Sequence, residues 1–302
     1  MPKKFDFYSR HYIRLVEASR TMTKGLEHIF YNAQHGFTLQ PTVLLAPIQP
    51  DDPDDEVDLK LKLTAMYLDI WLNRRLWNFH SIAYSTVQYA NFLVMRDIRG
   101  MEPRVLAKTL HKRLEAEPET FASNPTFSLH KQNHKYLHRM LARLTDYAEQ
   151  MSGASSHYLE YTNEKASKKG RQKIKDFEIE HIWANKPTRH RDEFPQKQDF
   201  DDYRNRVGGL LLLPKSFNAS YGDLPYDEKL PHYYGQNLLA KSLNPQCYSH
   251  NPGFLKFVQE SGLLFQAHEE FRKADLDART QLYIQIAEQL WNPARLAETV
   301  NA

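Results

Sequence analysis

The stretch Asp176-Phe177-Glu178-Ile179-Glu180-His181 alternates polar and apolar side chains and ends on a histidine. Side chains repeat every two residues along a strand, so a short strand here puts Phe177 and Ile179 on the core side and Glu178 and Glu180 on the other. His181 then stands where the strand ends. Downstream, Gly208-Gly209 leads into Leu210-Leu211-Leu212-Leu213, an apolar run stopped by Pro214. That run suits a buried strand, although periodicity alone also admits a helix. Lys215 to Tyr221 reads as a short helix closed by Gly222, with Asn218 near its middle. The order is strand, long loop, strand, helix. The loop, Trp183 to Arg206, is polar, with charges of both signs and with Pro187 and Pro195. Structureless segments of such length are usually functional or disordered, and this one is placed to drape over a substrate.

Outward from this stretch the chain reads as helical. Asp58 to Arg99 holds strong helix formers and no Gly or Pro, with Pro103 just beyond, which predicts one long helix or two joined ones. Leu137, Met140, Leu141, Leu144 and Tyr147 follow the spacing that gathers apolar side chains on one helix face, and Leu282, Ile286 and Leu290 form a similar stripe within Ala278 to Trp291. The acidic stretch Pro50 to Glu56 and the polar stretch Glu117 to Thr126 read as exposed turns. The small-residue cluster Ser152-Gly153-Ala154-Ser155-Ser156 reads as a boundary between a helical domain, 1–155, and a second domain, 156–302. The expected fold is therefore mainly α, with a small strand-strand-helix unit embedded in surrounding helices.

Composition narrows the setting. Of 302 residues, 41% are hydrophobic and 25% charged, with a mean hydropathy of -0.67, which is the balance of a folded, soluble protein. No run of 18 apolar residues and no apolar amino-terminal segment occurs, which excludes a membrane-spanning helix and a secretory leader. The single cysteine, Cys247, permits neither an internal disulfide nor a cysteine-based zinc cage, and a cytoplasmic location is expected. A net charge of +3 diagnoses no partner, so affinity for nucleic acid has to come from local clustering. One such cluster exists: Lys165, Lys168, Lys169, Arg171, Lys173 and Lys175 fall within eleven residues with no acidic residue among them. It is either a phosphate-facing patch or a solvated loop.

A carboxylate directly before a histidine, at a strand end behind a basic run, is suited to phosphodiester hydrolysis. Water must be deprotonated, the charge building on the phosphate and leaving oxygen must be neutralised, and the geometry must be held. Imidazole titrates near neutrality, so His181 fits the base. The Glu180 carboxylate and the Asn218 amide oxygen are hard ligands suited to Mg²⁺ or Mn²⁺. Lys229 offers a cation for a phosphate oxygen. Each residue also has a plainer reading: His181, one of fourteen histidines, as a structural hydrogen-bonding group, Asn218 as a turn residue and Lys229 as a surface charge.

Several blocks in order carry a resemblance. The segment Asp176 to Trp183, the Gly-Gly-Leu-Leu-Leu-Leu-Pro run, Ser216-Phe217-Asn218-Ala219-Ser220 and Pro225-Tyr226-Asp227-Glu228-Lys229 together resemble the HNH (ββα-metal, or His-Me finger) nuclease of GmrSD-type modification-dependent restriction systems, most closely over about 174–245. The resemblance implies a helical bundle around an HNH core, and a Mg²⁺- or Mn²⁺-dependent DNA endonuclease or nickase of an antiphage restriction system. His181 is then the general base, Glu180 and Asn218 the metal ligands, Lys229 a support for the phosphate or the local structure, and Glu178 an assisting carboxylate behind the ligands. Two positions depart from the family pattern. Gly209 stands where an Asn commonly holds the loop bearing the base, which makes Asn205 a substitute for that job, and Ala184 replaces a frequent Pro.

The resemblance also bears on partners. An Asp-Gly-Gln-Gln-Arg nucleotide-module motif, a P-loop and a GxGxxG are all missing from the sequence. This implies a nuclease half working on modified or phage DNA with a separate nucleotide-binding subunit, or a nuclease acting alone. The alternatives are a non-catalytic DNA-binding or assembly subunit and a metal-dependent hydrolase of RNA or nucleotides.

Overall fold

A computed structural model describes residues 2–162 and 176–301. The basic run from Lys165 to Lys175 lies outside the described residues. The chain divides into two compact units, one of Met1–Ser123 with Trp291–Ala302 and the other of Asn124–Leu290.

The first unit contains α1 (Pro2–Arg20), α2 (Glu27–Gln34), α3 (Gln40–Leu44), α4 (Asp54–Trp77), α5 (Tyr84–Ile98) and α6 (Pro103–Glu115). At its centre is α4, packed against α2, α3 and α6 and buried along most of its length, with Lys60, Asp69, Asn73 and Arg74 among its buried side chains. The span from Asp58 to Arg99 thus forms two helices: α4 ends at Trp77, and the connection passes through Phe79, whose φ of 60° no helix accommodates. The acidic stretch is only partly a turn, because Asp54, Asp55 and Glu56 form the first turn of α4. Carboxylates there meet the positive end of the helix dipole. Asp52 and Glu56 both pair with Lys60, whose side chain is fully buried. Phe121 stacks on Trp291 at 5.2 Å and meets Trp77 edge-on at 5.4 Å, drawing the carboxy-terminal tail into this unit.

The second unit starts at Asn124, well before the small-residue cluster at 152–156. The reason lies in α7 (His134–Met151): its stripe of Leu137, Met140, Leu141 and Leu144 is almost completely buried, and its packing partners lie further along the chain. After it come α8 (Tyr158–Tyr161), β1 (Phe177–His181), α9 (Lys197–Arg204), β2 (Leu210–Pro214), α10 (Lys215–Tyr221), α11 (Tyr226–Tyr233), α12 (Leu238–Lys241), α13 (Pro252–Ser261) and α14 (Lys273–Leu290), while α15 (Arg295–Asn301) belongs to the first unit. The strands β1 and β2 pair antiparallel, from Phe177 opposite Pro214 to His181 opposite Leu210. The helix α10 leaves β2 directly and packs on both strands, so the strand, strand, helix order of the sequence is a spatial unit.

The second unit's core closes on β2 from the other side. Leu210 to Leu213 are buried, α7 packs on this strand, and the Tyr283 hydroxyl of α14 donates to the Leu210 carbonyl at 2.9 Å. Where α14 crosses the turn before β2, a Cβ on Gly208 would come within 2.4 Å of Thr280 Oγ1 and 2.5 Å of the Leu276 carbonyl oxygen, so only glycine fits.

The stretch from Trp183 to Arg206 is not structureless. It contains a 3₁₀ turn, Pro187–His190, and α9, gathered about a small aromatic core. Trp183 stacks on Phe200 at 5.9 Å, meets Phe194 edge-on at 5.6 Å and donates its indole N–H to the Phe271 carbonyl at 2.7 Å. Three aromatic side chains spread over a polar segment carry no periodicity that marks them as a core. Among the described residues, no helix is long and apolar enough to cross a membrane.

Candidate active site

The site forms where β1 runs out. Phe177 and Ile179 face the core as their alternation predicts, but Glu180 on the opposite face is also buried, at 4% exposure. Its cover is α11, which brings Lys229, fully buried, against it. Lys229 Nζ donates to Glu180 Oε1 at 2.6 Å, to the His181 carbonyl at 3.0 Å and to the Ile182 carbonyl at 3.4 Å. Three acceptors match the three hydrogens of an ammonium group. Burial pushes the Glu180 carboxyl up and the Lys229 ammonium down, and each charge opposes the shift of the other.

Lys229 is expected from the sequence to support the phosphate or the local structure. Its hydrogens are already used within the protein, and no part of the side chain is exposed. Of the two roles the resemblance offered, its geometry matches support of the local structure, because it ties the last residues of β1 to α11.

His181 is half-buried. Its Nε2 lies 3.0 Å from Asn205 Oδ1, while Asn205 Nδ2 donates to the Asp201 carbonyl at 2.7 Å. A carbonyl takes only a donor, so that second bond fixes which end of the amide faces the imidazole. Nε2 therefore carries the hydrogen, and Nδ1 holds a free electron pair with no protein partner among the described residues. Burial, followed by the positive charge of Arg204, pushes the His181 imidazole down to about 4, so it is neutral near pH 7. A neutral imidazole with a fixed tautomer can accept a proton at one defined atom.

Asn205 is held by its neighbours. It follows α9, its carbonyl accepts from Leu129 N at 2.8 Å, and Val207 N donates to the Phe127 carbonyl at 2.9 Å. Gly209 is crowded, since a Cβ there would lie 3.1 Å from Leu276 Cδ1 and 3.2 Å from the Arg204 carbonyl oxygen. With the usual Asn position filled by glycine under α14, the imidazole is held from Asn205.

Asn218 projects from α10, and its Oδ1 is buried without a hydrogen-bond partner. An orphaned amide oxygen is costly to bury, which makes it a ligand-seeking group. No hydrogen bond joins Asn218 to Glu180 or His181. Glu178 shares a strand face with Glu180, but its carboxylate pairs with Lys215 at the start of α10 at 3.2 Å. Among the described residues, no three His, Cys, Asp or Glu side chains gather as a metal cluster.

One residue the sequence reading passed over belongs here. Arg204, half-buried at the end of α9, donates from Nε to the Trp183 carbonyl at 2.9 Å, and its charge acts on both Glu180 and His181. The only signal for it in the sequence is adjacency to Asn205.

Residues 116–286, more than half of the chain, match the family described as GmrSD restriction endonucleases, C-terminal domain. The chain belongs to this family. The matched span covers most of the second compact unit, including both strands, α9 to α12 and every site residue named above. The GmrSD C-terminal domain is part of a restriction endonuclease, so the chemistry to be explained is DNA cleavage. No curated protein and no solved structure matches the chain.

Proposed function

We propose that this protein is a divalent-metal-dependent HNH endonuclease or nickase, the nuclease subunit of a modification-dependent antiphage system. It would work in the cytoplasm, on modified or phage DNA, with a separate nucleotide-binding subunit. The observation that carries this reading is the His181-Asn205 pair: a neutral imidazole with its tautomer fixed, at the mouth of a strand, strand, helix unit in a GmrSD-family chain.

In this reading His181 Nδ1 takes a proton from the attacking water while Asn205 holds the ring. Lys229 acts through the strand end, positioning Glu180 and His181 without touching substrate. Glu180 and Asn218 are the residues that would hold the cation. The fit rests on the donor set: a carboxylate and an orphaned buried amide oxygen are hard ligands, and two protein ligands are enough for a cation that keeps several waters. Lys229 occupies Oε1 of Glu180. When bound, Mg²⁺ or Mn²⁺ supplies Lewis-acid stabilisation of the charge that builds on the phosphate and the leaving oxygen. Glu178 steadies α10 through Lys215. The run from Lys165 to Lys175 adds phosphate contacts along the duplex.

The test is conversion of supercoiled plasmid to open-circle or linear forms, with Mg²⁺ or Mn²⁺ and with chelator, by the wild-type protein and by His181→Ala. Cleavage that needs the metal and disappears in a folded His181→Ala protein supports the assignment. Undiminished cleavage by that variant removes it.

A further inference from the structure

We infer that Arg204 grips the phosphate to be cut, presenting its two terminal guanidinium nitrogens to a nucleic-acid phosphodiester beside His181. This rests on the nuclease reading and adds the residue that holds the reacting group of the substrate.

Three observations carry it. First, the side chain is tethered at one end only: Nε donates to the Trp183 carbonyl at 2.9 Å, while neither terminal nitrogen has a hydrogen-bond partner among the described residues. The tether fixes the plane of the fork and leaves its outer edge free. Second, the charge is half-buried yet unpaired. Its carboxylate neighbours are all engaged elsewhere: Asp201 with Lys197 at 2.6 Å, Asp223 with Lys186 at 3.6 Å and Glu180 with Lys229 at 2.6 Å. A guanidinium partly removed from water without a counterion is costly, and an arriving anion offsets that cost. Third, the location is that of the chemistry. Arg204 directly precedes Asn205, which holds His181, and its field acts on His181 and Glu180.

The ligand class follows from the shape of the group. A guanidinium offers two parallel N–H donors, which match two non-bridging phosphate oxygens and stabilise the charge that grows there as the bond to the leaving oxygen breaks. An ammonium keeps the charge but loses the fork.

The experiment uses Arg204→Gln and Arg204→Lys, each in the wild-type protein and in His181→Ala, with binding to a short DNA duplex measured across KCl concentrations. In the His181→Ala background, Arg204→Gln should flatten the slope of log affinity against log salt by about one unit, and Arg204→Lys should keep it. In the cutting background, both variants should lower kcat by about 10²- to 10³-fold, with the larger part of the loss in kcat rather than KM. Arg204→Gln that folds, keeps the salt slope and cuts within about twofold of wild type overturns the inference while leaving the nuclease reading in place. Wild-type protein that cuts nothing, alone or together with its nucleotide-binding partner subunit, removes that reading, and the salt slope still decides whether Arg204 contacts phosphate. If Arg204→Gln does not fold, Arg204→Lys decides: wild-type turnover by the lysine variant overturns the role of the fork.

Discussion

Asn205 Oδ1 stands 3.0 Å from His181 Nε2 although the two lie 24 residues apart, and the second bond of the amide, to the Asp201 carbonyl, decides which imidazole nitrogen keeps its hydrogen. One asparagine thus sets both the orientation of the ring and its tautomer. Asn205→Ala should lower plasmid cleavage by about 10- to 100-fold with little change in thermal stability. Gly209→Asn, which restores the residue more usual in the family, should not rescue Asn205→Ala, because Leu276 and the Arg204 carbonyl crowd that position. Recovery of cleavage in the double variant would show that the imidazole is not held from Asn205.

The Glu180-Lys229 pair is buried on both sides, so its partners cannot be removed one at a time without penalty. Lys229→Met leaves a carboxylate in a closed space and should cost about 3 to 5 kcal/mol in urea unfolding. Glu180→Leu combined with Lys229→Met should recover most of that loss. Strictly additive losses in the double variant would mean the two side chains do not depend on each other.

His181 ties stability to pH. Its imidazole titrates near about 4 in the fold and near 6.5 when unfolded, so the unfolded chain binds the proton the fold refuses. The contribution is fully present above pH 6.5 and is lost as pH falls towards 4, reaching about 2 kcal/mol by pH 5. Urea unfolding of wild type and His181→Gln at a series of pH values measures this as a difference between the curves. Parallel curves from pH 7 to pH 5 would contradict it. The acid limb of kcat/KM for cleavage should fall near pH 4 rather than near 6.5, because that limb reports the base in the free, folded enzyme.

Gly208 lies where α14 passes closest to the turn before β2. Gly208→Ala should destabilise the protein by about 1 to 3 kcal/mol, since the added methyl meets backbone atoms that cannot rotate away. Paired with Thr280→Ala, which removes the hydroxyl nearest the added methyl, the loss should persist, because the Leu276 carbonyl and the backbone amide at position 280 remain in place. Unchanged stability of Gly208→Ala would show that α14 moves aside freely.

Much of the local plan around the site was legible from residue order. Alternation over Phe177 to His181, an apolar run between glycine and proline, and a short helix stopped at Gly222 correspond to β1, β2 and α10 at nearly those bounds. Such signals are local, set by side-chain period and by residues that cannot continue an element. The environment of the site was much less legible. The alternation puts Glu180 on the face away from the core, and the structure buries it, because a lysine 49 residues later is carried over it by α11. The Trp183 segment looked unstructured because its core comes from a few aromatics spaced without period. The packing of α7 was not legible either, because its partners, β2, α12, α13 and α14, all follow it in the chain.

The sequence by itself determined which elements form around the site, which polar residues stand at the strand end, and which family the chain resembles, since periodicity, capping and ordered motifs are written in neighbouring residues. Only the tertiary structure decided that Lys229 is sealed against Glu180, that Asn205 faces His181 and that Arg204 keeps two nitrogens free beside it. Those outcomes depend on which distant segments meet, and on which charges are already paired when they do.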